Sequence, residues 1–436
     1  MRYYLPLLLL LPLFFVSCGK DSCEQSLTYV ELTPVFVDAA AFRALPIVLE
    51  PTDGLRSPGK MYLYGDLLLI NELNRGIHLY DNSDRSAPRS LGYLAIDGNT
   101  DFVVRDGILY ANQYVDLLAL DISDLQNVRL LERTEDVQTP LEVNEAGQIA
   151  TYYHSEEVTE VVDCDTRQRI EDWGFACREC VFFDVAGQPG AINAQTTNWN
   201  NAGENFFSPV ASGAGTGGSM ARFTVYRDHL YTVDRQHLRS FRFVGSTVEQ
   251  VGETQVGWDI ETIIPHGDYL YIGSETGMFI YAVSDPAAPV QVGIFQHARA
   301  CDPVYVDGDF AYVTLRDGTR CEGFSNQLDL VDVSDPTAPS LVRSFPMKNP
   351  HGLGIAGDDL FVCEGEWGLK AFDISTPRTL DERPLWHTER WFAYDVIPLP
   401  GADPVLLVIG DDGFIQLDIS DPTTPRLLST IPVDRP

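Results

Sequence analysis

Several acidic residues in this chain recur at one fixed distance from a glycine turn. Counting six residues back from the turn glycine reaches Asp101, Glu261, Asp302, His351 and Asp395, and five back from Gly147 reaches Glu142. The matching place falls at Ala221 and Arg222 in one further copy, and at Gly59 and Lys60 in another. Carboxylates gathered closely demand a counterion or shifted pKa values, so this pattern suits a shared divalent cation or a cationic ligand. Ca²⁺ is the metal that oxygen donors favour, although positions spread round a ring are too dispersed for all of them to touch one ion. His351 would add a proton carrier, and Arg222 a fork for anions. With a metal, such a ring is the equipment of a hydrolase or lyase. Without one, it is a solvated acidic rim that caps loose backbone groups.

A second cluster involves thiols. Cys177-Arg178-Glu179-Cys180 has the spacing of a zinc or redox half-site, with Cys164 and His154 as further candidate ligands. A redox centre would want a βαβ setting that is missing here, and a disulfide from Cys164 to Cys177 or Cys180 is the simpler reading. Cys301 and Cys321 bracket a hairpin whose ends meet, and they form the best candidate pair. No hydrolase elbow, P-loop, dinucleotide fingerprint or zincin helix occurs.

The elements that must position these residues announce themselves by repetition. An apolar strand ending in Asp, then a small residue, then Ser-Asp-Pro and a second Pro, reads from Asp332 to Pro339 and again from Asp418 to Pro425. Looser copies open at Asp81, Asp121, Asp163 and Asp373, and two without the leading Asp open at Arg242 and Ala282. Eight units result, one of them carrying a long insertion. A Gly/Asp turn supplies the positive φ of a tight hairpin, and in the fullest copies Ser-Asp-Pro ends the third strand, because Pro cannot continue a ladder; units three and four lack that turn. A period near 40 residues with short strands in every copy predicts an all-β β-propeller of eight four-stranded blades, with seven as the alternative. The acidic positions then open the strand nearest the axis and form one ring at one mouth of the channel.

Segments such as Gly368 to Ser375 and Asn326 to Ser334 resemble LVIVD repeats, a propeller repeat of bacterial and archaeal envelope proteins. The likeness covers nearly everything from Pro58 to Val433. It implies a fold and a cell-surface setting and transfers no catalytic motif.

Residues 1–17 read as a lipoprotein signal peptide: Arg2, an apolar run from Leu5 to Val16 too short to span a bilayer, then Phe15-Val16-Ser17-Cys18, which resembles a bacterial lipobox. Cys18 is expected to carry the acyl chains, palmitate among them, that hold the protein on the outer membrane of the envelope. Removing Cys18 from the eight cysteines leaves an odd number, so at least one thiol is unpaired. Residues 18–57 are expected to form a tether, with Thr28 to Val37 able to close the ring by joining the last blade, and 58–436 the propeller. The insertion, 175–219, carries Trp199, Phe206 and Phe207 and is expected to pack over one mouth. Thirty Lys and Arg against 63 Asp and Glu give a formal charge of −33, which repels nucleic acid and favours a protein or a small cationic ligand. The functional expectation is a monomeric, lipid-anchored interaction module, with metal-assisted hydrolysis or lyase chemistry as the alternative.

Overall fold

A computed structural model describes residues 24–52, 54–163, 180–183, 214–219, 221–257, 260–297, 303–316, 326–382 and 384–434. Cys18, Cys164, Cys177, Cys301, Asp302 and Cys321 lie outside the described residues, and with them the lipidation site and both expected disulfides; Cys180 is described only as part of a strand. The chain divides into two compact units. One takes 1–32 and 156–192, and in it Thr28 to Glu31 pair antiparallel with Cys180 to Phe183. The other takes 33–155 and 193–436 and holds the repeats.

Eight antiparallel sheets are present, and the chain is an all-β propeller. Seven are built from four consecutive strands each: sheet I spans 58–95, sheet II 102–134, sheet IV 223–255, sheet V 260–296, sheet VI 304–346, sheet VII 353–388 and sheet VIII 395–432. Sheet III is different. It combines Glu24–Val37, Glu142–Val143, Ile149–Asp163 and Cys180–Phe183, which are not consecutive in the chain. Within it Glu142 stands opposite Ala150 in a hairpin, and Ile149–Asp163 runs on as one strand.

Apolar side chains of adjacent sheets interlock to make the core. One buried cluster joins sheets I, II and IV, a second IV and V, a third V, VI and VII, a fourth VII and VIII, and a fifth VIII and I. Four of its fully buried rings, Tyr110, Tyr231, Tyr271 and Tyr312, come from second strands, where the repeat places an aromatic residue. The first strand of each of these seven sheets is the innermost. That of sheet II packs directly on that of sheet IV.

Four of the repeat turns are closed by their own aspartate. Asp81 Oδ1 accepts the Ser83 amide at 3.1 Å and its hydroxyl at 2.6 Å, and the same pair of bonds recurs at Asp121 with Ser123, Asp332 with Ser334 and Asp418 with Ser420. An Asx turn of this kind ends a strand without leaving its amides unpaired.

The segment before sheet I is more than a tether. Asp38 caps a short helix, Ala39–Arg43, and Arg43 grips Asp116 through Nε at 2.8 Å and Nη2 at 2.6 Å. Leu49–Glu50 extends sheet I along its outer strand. The strand containing Thr28 to Val37 belongs to sheet III and does not join the last blade, which already has four strands of its own. Ring closure falls instead to Leu55, bridged in parallel to Val433 and accepting the Asp434 amide at 2.7 Å.

Candidate functional site at the channel rim

Residues 214–219, with 221 and 222, run through the middle of the ring. Ala214 bridges Arg105, and the Gly215 amide donates to Val104 at 3.1 Å, both on the inner strand of sheet II. Thr216–Gly217 pairs antiparallel with Leu63 and Tyr62 on the inner strand of sheet I. Ser219 then reaches sheets VII and VIII, and the Ala221 carbonyl accepts the Ile263 amide of sheet V at 2.7 Å. A short peptide that touches the inner strands of five sheets lies on the axis. Its glycines follow from that confinement: a Cβ on Gly215 would stand 2.4 Å from the Tyr62 ring, and one on Gly218 would stand 2.3 Å from Asp395 Oδ2. The described end of the 175–219 insertion therefore occupies the channel itself, where the sequence suggests a cover over one mouth.

The rim carboxylates are taken up by this peptide and by its neighbours. Asp101 is buried, and its Oδ1 accepts Lys60 Nζ from the inner strand of sheet I together with the Phe102 amide at 2.5 Å. Its Oδ2 accepts the amides of Arg222 at 2.6 Å and Phe223 at 3.2 Å. Lys60 is equally buried, its Nζ lying 5.5 Å and 5.4 Å from the ring centres of Tyr62 and Phe102. Burial lowers the Lys60 pKa from that of an ordinary ammonium, with the charges of Asp101 and Asp395 opposing. Asp395 accepts the Ser219 amide at 3.0 Å on both oxygens and the Ser219 hydroxyl at 2.5 Å. Desolvation pushes its pKa up to about 8 in spite of those bonds, so the group is a neutral acid at pH 7.

The loop holding Asp101 is set by amides. Asn112 Oδ1 accepts the Thr100 and Asp101 amides, each at 2.9 Å, and Asn99 bonds Asn71 of sheet I at 2.7 Å. On the far side of the rim, His351 is buried against Arg316, which bonds its ring, and against Phe392 and Tyr394. Burial first, then the Arg316 charge, holds its pKa well below that of a free imidazole, which favours the uncharged ring.

The structure places the sequence-selected residues unevenly. Asp101, Arg222, Glu261, His351 and Asp395 all stand at the beginning of inner strands, at one end of the ring. Asp101 is bonded to Lys60, and Arg222 contributes its backbone amide to Asp101. Glu142 is not among them: it sits in the short hairpin of sheet III and accepts Tyr153 Oη at 2.9 Å. The spacing from Gly147 imitates the repeat, but the strand it opens lies outside the succession of inner strands. Ser219, Asn99, Asn112 and Arg316 were not selected, because none belongs to the stacked position. The one signal for Ser219 was the glycine run before it, whose composition reads as a loop. Among the described residues, no three His, Cys, Asp or Glu side chains gather as a metal site.

A family model described as the LVIVD repeat matches residues 261–297, 298–346 and 407–431. The chain carries LVIVD repeats. These repeats coincide with sheets V and VI and with the last three strands of sheet VIII. No curated protein matches the chain. Among solved structures, the chain is similar to Sqt1 of Saccharomyces cerevisiae, at 11% identity over 85% of this chain and 96% of that one, with a TM-score of 0.47. It is also similar to Hsv2 of Kluyveromyces lactis, at 11% identity over 85% and 97% with a TM-score of 0.46, and to BamB of Moraxella catarrhalis, at 7% over 89% and 96% with a TM-score of 0.46.

Proposed function

We propose that this LVIVD-repeat propeller is an interaction module of the cell envelope, held on the outer membrane by lipid at Cys18, that presents its acidic outer surface to a protein or a small cationic ligand. The observation that carries this reading is the filled channel. The acidic ring was the feature of the sequence that suggested metal-assisted hydrolysis or lyase chemistry, and at Asp101 and Asp395 its oxygens are engaged by the chain's own amides, hydroxyl and ammonium. Carboxylates engaged in this way have no lone pairs directed at a Ca²⁺ ion or a substrate. Recognition is left to the surface, where the excess of 63 acidic over 30 basic residues makes a cationic patch the complementary partner.

Two measurements test the proposal. Cys18→Ala should leave the propeller folded and release it from the membrane fraction, and a variant that stays with the membrane would remove the lipid anchor from the reading. Cross-linking on intact cells should capture a specific partner whose yield falls with added salt, as charge complementarity requires. Stoichiometric Ca²⁺ in the purified protein, lost in Asp101→Asn, would instead revive the metal site.

A further inference from the structure

The contact between Lys60 and Asp101 is arranged for more than an ion pair. Both side chains are 1% exposed, so neither the amine nor the carboxyl meets water. An ion pair so placed loses much of its Coulombic gain to desolvation, and burial lowers the Lys60 pKa, which favours the uncharged amine. A desolvated lysine amine is a nucleophile. The amine contacts Asp101 Oδ1, one bond from a carboxyl carbon already provided with two amide donors: those of Arg222 and Phe223 converge on Oδ2, where negative charge develops if the carbon becomes tetrahedral. The rings of Tyr62 and Phe102 wall the site. A second acid, Asp395, opens the inner strand of sheet VIII, the sheet that packs against sheet I, and the Ser219 amide fixes it in place through both carboxyl oxygens.

The geometry points to an intramolecular isopeptide bond between Lys60 Nζ and Asp101 Cγ, formed with the Asp395 carboxyl as proton shuttle. The Lys60 nitrogen attacks Cγ, forming the N–C bond and placing the oxyanion on Oδ2 between the Arg222 and Phe223 amides. Asp395 takes one proton from the nitrogen and returns one to Oδ1, the Cγ–Oδ1 bond breaks, and Oδ1 leaves as water. The balance is amine plus acid giving amide plus one water, with nothing oxidised or reduced. Fixed contact supplies the effective concentration, and exclusion of water protects the product from hydrolysis. The bond would tie sheet I to sheet II at the rim while the axial peptide supplies the amide donors, so it forms only after that peptide is seated. This inference is independent of what the outer surface binds.

Tryptic mapping of the denatured full-length protein by mass spectrometry tests it. Trypsin cannot cut after a modified Lys60, so the wild type should yield a branched peptide in which 57–75 is joined to 90–105, lighter than the sum of its parts by one water. Recovery of a free peptide ending at Lys60, with Asp101 in an unbranched peptide, would overturn the proposal outright. Asp395→Asn, checked for folding by circular dichroism, should lose the branch, and persistence of the branch would remove Asp395 from its role. Lys60→Arg keeps a positive charge against Asp101 but cannot form the amide, and a branched peptide in that variant would show that the joined residues are others.

Discussion

Aspartates do opposite things at the two ends of a repeat. In the turn after the third strand, Asp81, Asp121 and Asp418 face solvent, each bonded to a serine two residues on and to an arginine eight residues on. Their pKa values are held down to about 2, first by the serine hydroxyl. At the rim, Asp395 accepts three comparable bonds from Ser219 and yet is pushed up to about 8. The serine bonds are similar; the surroundings differ, solvent and an arginine at the turns against burial at the rim. A hydrogen bond lowers a carboxyl pKa by favouring its charged form, but removal of bulk water penalises that form by more. The contrast assigns the turns to surface ionic chemistry and the rim to neutral, packed chemistry.

The severest test of that contrast is to force the rim open. Gly218→Val should be the most damaging single change, because its Cβ would press into the Asp395 carboxyl and its branches into Ile397. A loss of about 3 kcal/mol, read from the urea midpoint, is expected for overpacking at a buried backbone site. Little change would mean that the axial peptide is not held in the channel.

A finer test uses pH, since the two classes must slope in opposite directions. For Asp395 the folded value lies above the unfolded one, so the folded state binds the extra proton and stability falls as pH rises from about 4 to about 8, by at most about 1.4 kcal/mol per pH unit. Asp395→Asn should flatten that segment of the wild-type profile and become the more stable protein at its alkaline end. A parallel pair of profiles would contradict the burial argument. For the turn aspartates the folded value lies below the unfolded one, so their contribution is present above pH 4 and is lost as pH falls through about 2.

The smallest effect belongs to a single turn. Asp418→Ala should lower the thermal midpoint slightly at neutral pH and not at pH 2, where the wild-type carboxyl is itself protonating. A drop that persists unchanged at pH 2 would mean that the turn is held by something other than the ionised carboxylate.

The legibility of these regions in the sequence follows from the range of their contacts. Asp81, Asp121, Asp332 and Asp418 bond residues two positions away, so the motif and the structure are nearly the same object, and stacking the motif finds the strands of His351 to Trp386 almost to the residue. Strand starts were legible too, because symmetry carries Asp101, Glu261, His351 and Asp395 to one end. Symmetry failed for Glu142, whose spacing and hairpin fit but whose sheet does not stand between sheets II and IV, since their inner strands meet directly. The occupied channel was not legible at all. Ser219 meets Asp395 across 176 residues and Leu353 across 134, and no local pattern encodes partners so remote. Lys60 was visible as a cation in register with the ring, but its pairing with Asp101 needs the contact between two neighbouring sheets.

The peptide on the axis also constrains the order in which the molecule can be put together. Sheets I and II precede it in the chain and sheets IV to VIII follow it, while the seam at Leu55 and Val433 joins the two ends of the array. A chain made from its N-terminus can lay the peptide against sheets I and II first and wind the later sheets around it, as thread is wound on a spindle. A full-length chain refolding from denaturant has no such schedule. It can shut the seam with the spindle outside, and the same apolar contacts that seal the native ring would then seal the error.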